Sequence, residues 1–357
     1  MKIAPLVKAF AGHPQIEQRL VHTGQHYDEQ MSRVFFEELG LPRPDINLEI
    51  GSASHAVQTA RIMMAFEPLI PAEKPDLVLV VGDVNSTLAA ALVCAKLHVP
   101  VAHVEAGLRS FDRTMPEEVN RVLTDRLSEL LFVTERSAIE NLRREGIPDE
   151  RVHFVGNVMI DTLMSHLHRA RELRVPESLD LHDPYILVTL HRPSNVDDAD
   201  RFGEIADALA ALARQAEVVF PVHPRTLARL RDFDLERRLS EVRLIDPLGY
   251  LDFLGLMDSA ALVLTDSGGI QEETTVLGVP CLTVRESTER PVTVEEGTNR
   301  LVTILAKAII AAALQALERG RVVYRLPELW DGRAAERIAA LTWQWWQEGP
   351  SIAPNSG

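Results

Sequence analysis

The side chains best suited to acid–base chemistry fall where apolar, strand-like runs end. Asp83 follows Leu77-Val78-Leu79-Val80-Val81-Gly82, and Glu105 follows Val101-Ala102-His103-Val104. Glu117 opens a helix after Met115-Pro116, and His191 follows Val188-Thr189-Leu190. Each has a plainer reading. Asp83 could cap a helix, Glu117 could favour a helix N-terminus, and His191-Arg192 could be a surface pair. Glu105 is harder to dismiss, because a carboxylate directly after a buried strand is costly unless it is paired or used. Taken together, three acids and a histidine at strand or loop ends suit general acid–base work on one shared ligand.

A second stretch suits an anion. The run Ala260 to Leu264 has strand character and continues into Thr265-Asp266-Ser267-Gly268-Gly269, followed by a helix from Ile270 to Leu277. A strand that ends in a Gly-Gly turn at a helix start offers free N–H groups and the positive end of the helix dipole to a phosphate. Glu272 and Glu273 are expected in the first turn of that helix. The alternative is an ordinary strand-to-helix turn that needs glycine for close packing.

The elements that must position these residues alternate strictly. Helices are predicted at Ile3–Phe10, about Glu29–Leu39, Ala53–Phe66, Ser86–Leu97, Glu117–Glu129 and Glu135–Glu145, interleaved with short apolar strands. The pattern resets around Val152 to Asp161, and the charged stretch His166 to Pro184 reads as a linker or loop. A second strand–helix series starts at Tyr185, and an amphipathic helix, Ala334 to Gln347, closes the chain. Short apolar strands alternating with helices predict an α/β fold of two doubly wound parallel-sheet (Rossmann-like) domains. The expected division is residues 1–160, with helix 334–348 packing back on them, and residues 161–333. Ligands of such sheets bind beyond the carboxyl ends of the strands, so the cleft between two such domains is the expected site.

Composition narrows the classes. At 357 residues the chain suits two domains, and its formal net charge of −15 argues against nucleic-acid or acidic-membrane partners. Cys94 and Cys281 are far apart in apolar surroundings, so a disulfide framework is not expected. No apolar run approaches the roughly 20 residues of a membrane span, and the expectation is a cytoplasmic protein. No zinc-site spacing, Gly-x-Gly-x-x-Gly or Walker pattern is present, against nicotinamide, flavin or ATP chemistry.

The motifs that carry a resemblance run in order along essentially the whole chain. They include Gly24-Gln25-His26, Gly82-Asp83, His103-Val104-Glu105-Ala106-Gly107-Leu108-Arg109, Pro116-Glu117-Glu118-Val119-Asn120-Arg121, His191-Arg192, Pro221-Val222-His223, Asp266-Ser267-Gly268-Gly269-Ile270-Gln271-Glu272-Glu273 and Thr288-Glu289-Arg290-Pro291. In these the chain resembles the non-hydrolysing UDP-N-acetylglucosamine 2-epimerases. The resemblance implies a glycosyltransferase-B-type fold and interconversion of UDP-GlcNAc and UDP-ManNAc, by elimination of UDP to a glycal and re-addition. It implies no added cofactor, no metal and a homodimer. By resemblance Asp83, Glu105, Glu117 and His191 form the catalytic group, and Ser267, Gly268, Gly269, Glu273 and Arg290 hold UDP, with Glu273 on the ribose. Lys2, His26, His223 and Phe253 match further ligand-side positions.

Members of that family open with a strand and a Gly-Thr-Arg-Pro-Glu loop, whereas this sequence opens with a helix. The expectation is therefore that a strand central to the first sheet is missing ahead of Met1. A glycosyltransferase of the same fold, or a chain with weak or no activity, are the alternative readings.

Overall fold

The computed structural model describes residues 1–24, 38–321 and 325–349. His26 and nearly all of the helix expected over 29–39 lie outside the described residues. The strands are β1 (Val21–His22), β2 (Ile46–Asn47), β3 (Val78–Val81), β4 (Val101–Ala106), β5 (Leu130–Val133), β6 (Val152–Phe154), β7 (Tyr185–Thr189), β8 (Glu217–Pro221), β9 (Arg243–Ile245), β10 (Leu262–Thr265), β11 (Cys281–Val284) and β12 (Asn299–Val302). The chain divides into two compact units, Met1–Thr162 with Glu328–Gly357, and Leu163–Pro327.

Among the described residues, the first unit holds a four-stranded sheet of order β3-β4-β5-β6 and a separate pair β1-β2, all parallel. Parallel strands need crossover helices that cover both faces, so their residues are buried and mostly apolar. Every residue of β4 and β5 is buried. Val104, Phe132 and Val158 pack on one side with Leu6, Ala334 and Ile338, which brings the helices Ile3–Ala11 and Ala334–Glu348 onto the same core. The closing helix is tied down at its start. Asp161 accepts from the backbone N–H groups of Ala334 and Ala335 at 3.1 and 2.6 Å, filling the role of a helix cap.

The second unit has, among the described residues, a six-stranded parallel sheet of order β12-β11-β10-β7-β8-β9. Its core runs from Ile186, Val188 and Leu264 to Phe202, Leu209 and Ile309 on the covering helices. The strand order reverses direction at the β7/β10 pair, where Thr189 is in register with Thr265. Such a switch point opens a crevice at the strand ends, because the connections leave it on opposite faces.

Two expectations are corrected. The stretch from His166 to Pro184 is not an irregular linker. The helix Val158–Glu172 runs into it and a short helix, Val175–Ser178, follows. The buried residues Leu163, His166 and Ala170 recur at helical spacing, but they are few among charged neighbours. The helix after β10 starts at Gly268 rather than Ile270, because both glycines adopt helical geometry. Glu272 and Glu273 therefore lie beyond the first turn and are buried, so they are not dipole partners at an exposed helix start.

Candidate active site

In the first unit the ends of adjacent strands bring two of the acids together. Val81 of β3 is in register with Val104 of β4, so Gly82-Asp83 and Glu105 emerge side by side. Gly82 lies in the left-handed region (φ 73°), and a Cβ there would stand 3.3 Å from Lys2 Nζ and 3.9 Å from Glu105 Oε2. Glu105 is itself left-handed (φ 71°), at a register shift where β4 bulges against β5. For a residue with a side chain this conformation costs on the order of 1–3 kcal/mol and collects at functional sites. The buried carboxylate is paired: Lys2 Nζ donates to Glu105 Oε2 at 2.5 Å. Glu105 Oε1 has no hydrogen-bond partner among the described residues.

Asp83 does not cap its helix, since Val84 occupies the N-cap position. Its carboxylate accepts from Arg121, which also donates to Glu118 at 2.5 Å. Its main-chain carbonyl accepts from Asn120 Nδ2 at 2.8 Å. Glu118 in turn holds the preceding loop, accepting from Ser110 N and Oγ and from Phe111 N, each at 2.9 Å. Glu117 stands half-buried in the first turn of the same helix, Pro116–Leu127. One helix thus carries Glu117 and the groups that orient Asp83. Arg121 lies 38 residues from Asp83 in sequence, and no local spacing signals the pair.

In the second unit the switch point gathers the other candidates. Asp266, fully buried at the end of β10, accepts from the backbone N–H groups of His191 (3.1 Å) and Arg192 (2.9 Å), and from Asn195 Nδ2 (3.1 Å). His191 Nδ1 also reaches Asp266 Oδ1 at 3.1 Å, while its ring remains largely exposed. Burial by itself would raise the Asp266 carboxyl, but the bonds and charge from His191 and Arg192 outweigh it and hold it below its ordinary value. The arrangement directs His191 Nε2 away from Asp266, as a ligand-facing histidine requires.

Ser267 is the N-cap residue of the helix Gly268–Leu277. Arg290 lies over its start: a Cβ on Gly268 would stand 2.6 Å from the guanidinium, so only glycine admits this approach. Arg290 Nε donates to Glu272 Oε1 at 2.6 Å, and Glu289 is held by Arg285 at 2.7 and 3.0 Å. Burial would raise the Glu289 carboxyl, yet Arg285 and Arg290 drive it far below its usual range. Arg290 is thus a buried cation set at a helix N-terminus.

Glu273 accepts from Tyr250 Oη at 2.9 Å, and burial, reinforced by Glu272, lifts its carboxyl to about 8. The folded state then binds a proton more tightly than the unfolded chain. Its contribution to stability is full below the unfolded value near 4.5 and is lost as pH rises through about 8. Glu273→Gln is therefore expected to flatten the stability-against-pH curve between about pH 5 and 8, measured by denaturant unfolding. His223 caps the helix Pro224–Asp232 through Arg225 N at 3.3 Å, and Phe253 is half-buried on the helix Tyr250–Ser259.

Two parallel-sheet Rossmann-like units, one with clustered acids at its strand ends and one with a basic helix start at its switch point, define a glycosyltransferase-B-type protein. The profile of the UDP-N-acetylglucosamine 2-epimerase family matches residues 8–342. The chain belongs to that family, and it is an isomerase. It is 43% identical over 350 residues to the UDP-N-acetylglucosamine 2-epimerase of Methanocaldococcus jannaschii, covering 96% of this chain and 95% of that one. The structure of the M. jannaschii enzyme with UDP-GlcNAc and UDP superposes with a TM-score of 0.89 over 96% of both chains. The Neisseria meningitidis UDP-GlcNAc 2-epimerase bound to UDP-GlcNAc gives 0.88 at 31% identity, over 96% of both chains. Equal similarity, 43% over 343 residues and 95% of each chain, links it to the UDP-2,3-diacetamido-2,3-dideoxy-D-glucuronate 2-epimerase of Pseudomonas aeruginosa.

Proposed function

We propose that this chain interconverts UDP-GlcNAc and UDP-ManNAc, with the second unit holding UDP and the first supplying the carboxylates. The observation that carries the reading is Arg290, a buried cation against the glycine start of a helix, where a diphosphate meets both a charge and unsatisfied N–H groups. Ser267, Gly268 and Gly269 supply the turn. Glu273, which keeps its proton at neutral pH, meets the ribose hydroxyls without repelling the diphosphate.

The C2 proton of an N-acetylhexosamine has no adjacent carbonyl to stabilise a carbanion, so it cannot leave alone. In the proposed course the C1–O bond breaks and UDP departs with the electron pair, while a carboxylate takes the C2 proton; C1 and C2 become doubly bonded as a glycal. Readdition of a UDP oxygen to C1, with protonation of C2 from the opposite face, gives the epimer. Arg290 and the helix start stabilise the departing diphosphate. Asp83, Glu105 and Glu117 serve proton transfer, and His191 meets the ligand through Nε2. Lys2 accompanies Glu105, and His223 and Phe253 contribute on the nucleotide side. Incubation with UDP-GlcNAc in heavy water is expected to place deuterium at C2 of both epimers. Turnover of the 2,3-diacetamido glucuronate sugar alone would redirect the substrate assignment, and sugar loss that depends on an acceptor would point to a transferase.

A homodimer is part of the same proposal. Val57 and Met64 on the helix His55–Phe66 are 44% and 74% exposed, and Val119 and Leu123 on Pro116–Leu127 are 42% and 44% exposed. These residues share the first unit with an apolar-walled cavity of about 450 Å³ that Met63 and Val119 line. A second copy of the chain is the occupant we assign, because a two-fold pairing covers both helices with one self-complementary patch. Light scattering is expected to give a dimer for the wild type and a monomer for Met64→Glu with Leu123→Glu. A monomeric wild type would overturn it. Among the described residues no helix is long and apolar enough to cross a membrane.

A further inference from the structure

We infer that His103, carrying a proton on each ring nitrogen, positions the two strand ends that bear Asp83 and Glu105. Its ring is fully buried, and each nitrogen meets an acceptor: Nδ1 lies 2.6 Å from Asp125 Oδ1 and Nε2 lies 2.8 Å from the Gly82 carbonyl. A main-chain carbonyl cannot donate, so Nε2 carries a proton. The Asp125 carboxylate cannot donate either, so Nδ1 carries the second. A neutral ring would set a lone pair against one of these two acceptor oxygens in a fully buried site, which is a costly arrangement.

The state of Asp125 has independent support. Its other oxygen accepts from Gly107 N at 3.0 Å and pairs with Arg109 Nη2 at 2.7 Å. The ionisable groups bonded around the ring are Asp125, then Arg109 and its partner Glu145, and Glu105 with Lys2 at the strand end; the helix of Asp125 also carries Glu117, Glu118, Arg121 and Arg126, with Asp83 paired to Arg121 after the neighbouring strand.

The connectivity gives the cluster a purpose. His103 and Gly107 stand two residues before and two after Glu105, and Asp125 grips both. The left-handed bulge at Glu105 is therefore pinned on each side by one carboxylate. Gly107, itself left-handed (φ 78°), admits no side chain, because a Cβ would lie 2.6 Å from the Ala138 carbonyl. The other ring nitrogen reaches across to β3 and fixes the carbonyl immediately before Asp83. One cation thus sets the spacing of two acids.

The protonation state stands apart from the proposed reaction, whereas the positioning role rests on Asp83 and Glu105 acting in it. Long-range ¹H–¹⁵N correlation on the intact, histidine-labelled protein tests the first. Both His103 ring nitrogens, assigned through coupling to their own backbone, are expected at protonated shifts at about pH 7.5. A neutral tautomer at pH 7.5 would overturn the inference. His103→Gln keeps one donor but loses the charge and the second bond. It is expected to lower kcat about 100-fold per folded molecule with KM within about threefold, because misplaced groups cost turnover more than binding. A purely structural role would instead reduce only the folded fraction, leaving kcat per folded molecule within twofold, and that result would end the positioning claim. If Glu105→Gln were fully active while the imidazolium signature held, the acid–base assignment would fail and the protonation state would stand.

Discussion

Glu105→Gln is expected to lower kcat by about 10²–10⁴-fold, the range that a positioned proton-transfer group supplies. The reason lies in the geometry at the end of β4. The backbone takes a left-handed turn at Glu105, and Lys2 holds one carboxylate oxygen while the other has no protein partner among the described residues. An amide fills the same volume and can still accept from Lys2, so the fold and the Lys2 contact are expected to survive. What is lost is the ability to take up a proton. The proposed function places the nucleotide contacts in the second unit, so KM for the UDP-sugar should change little and the effect should fall on kcat. Deuterium entry at C2 should slow in parallel with epimerisation. Wild-type wash-in in the variant would remove Glu105 from proton transfer and leave Asp83 and Glu117 as the remaining acids.

Arg290→Met is expected to do two things at once, and a second variant separates them. The substitution leaves Glu272 buried without its guanidinium, and breaking a buried ion pair from one side costs about 3–5 kcal/mol. It also removes the cation from the start of the helix Gly268–Leu277. Charge-assisted hydrogen bonds contribute about 1.5–3 kcal/mol each, so UDP affinity by calorimetry should fall about 10- to 100-fold. Adding Glu272→Met removes the orphaned carboxylate and should restore much of the stability, since a buried pair replaced by apolar groups is often neutral. UDP affinity should stay low in the double variant. Recovery of both together would mean that Arg290 serves packing alone.

The two effects expose a division of labour within the Asp266–Glu273 segment. Asp266 faces back, fixing the chain at His191 and Arg192 across the switch point. Glu272 also faces inward and anchors Arg290. The part assigned to the anion in the proposed function is the short run from Ser267 to Gly269. A motif that reads as one unit in sequence is thus an outward turn braced by two inward acids.

Much of this was decided by the sequence itself. Alternating short apolar runs and amphipathic helices point to parallel sheets covered on both faces, because strands buried on both sides read as near-continuous apolar runs. The carboxyl ends of those strands then name Asp83, Glu105, His191 and Ser267 as the candidates to face a ligand, since that is where parallel sheets open. The motif order was enough to identify the family. The tertiary structure decided what local periodicity cannot encode. Arg121 finds Asp83 from 38 residues away, and Asp125 bridges His103 and Gly107 from the neighbouring helix. Glu105 takes a left-handed conformation that its residue type disfavours and that only surrounding contacts can hold. The helix after β10 begins two residues early, because glycine's freedom leaves its conformation to context. Chain propensity is summed over neighbours in sequence, whereas ion pairs, bulges and protonation states belong to neighbours in space.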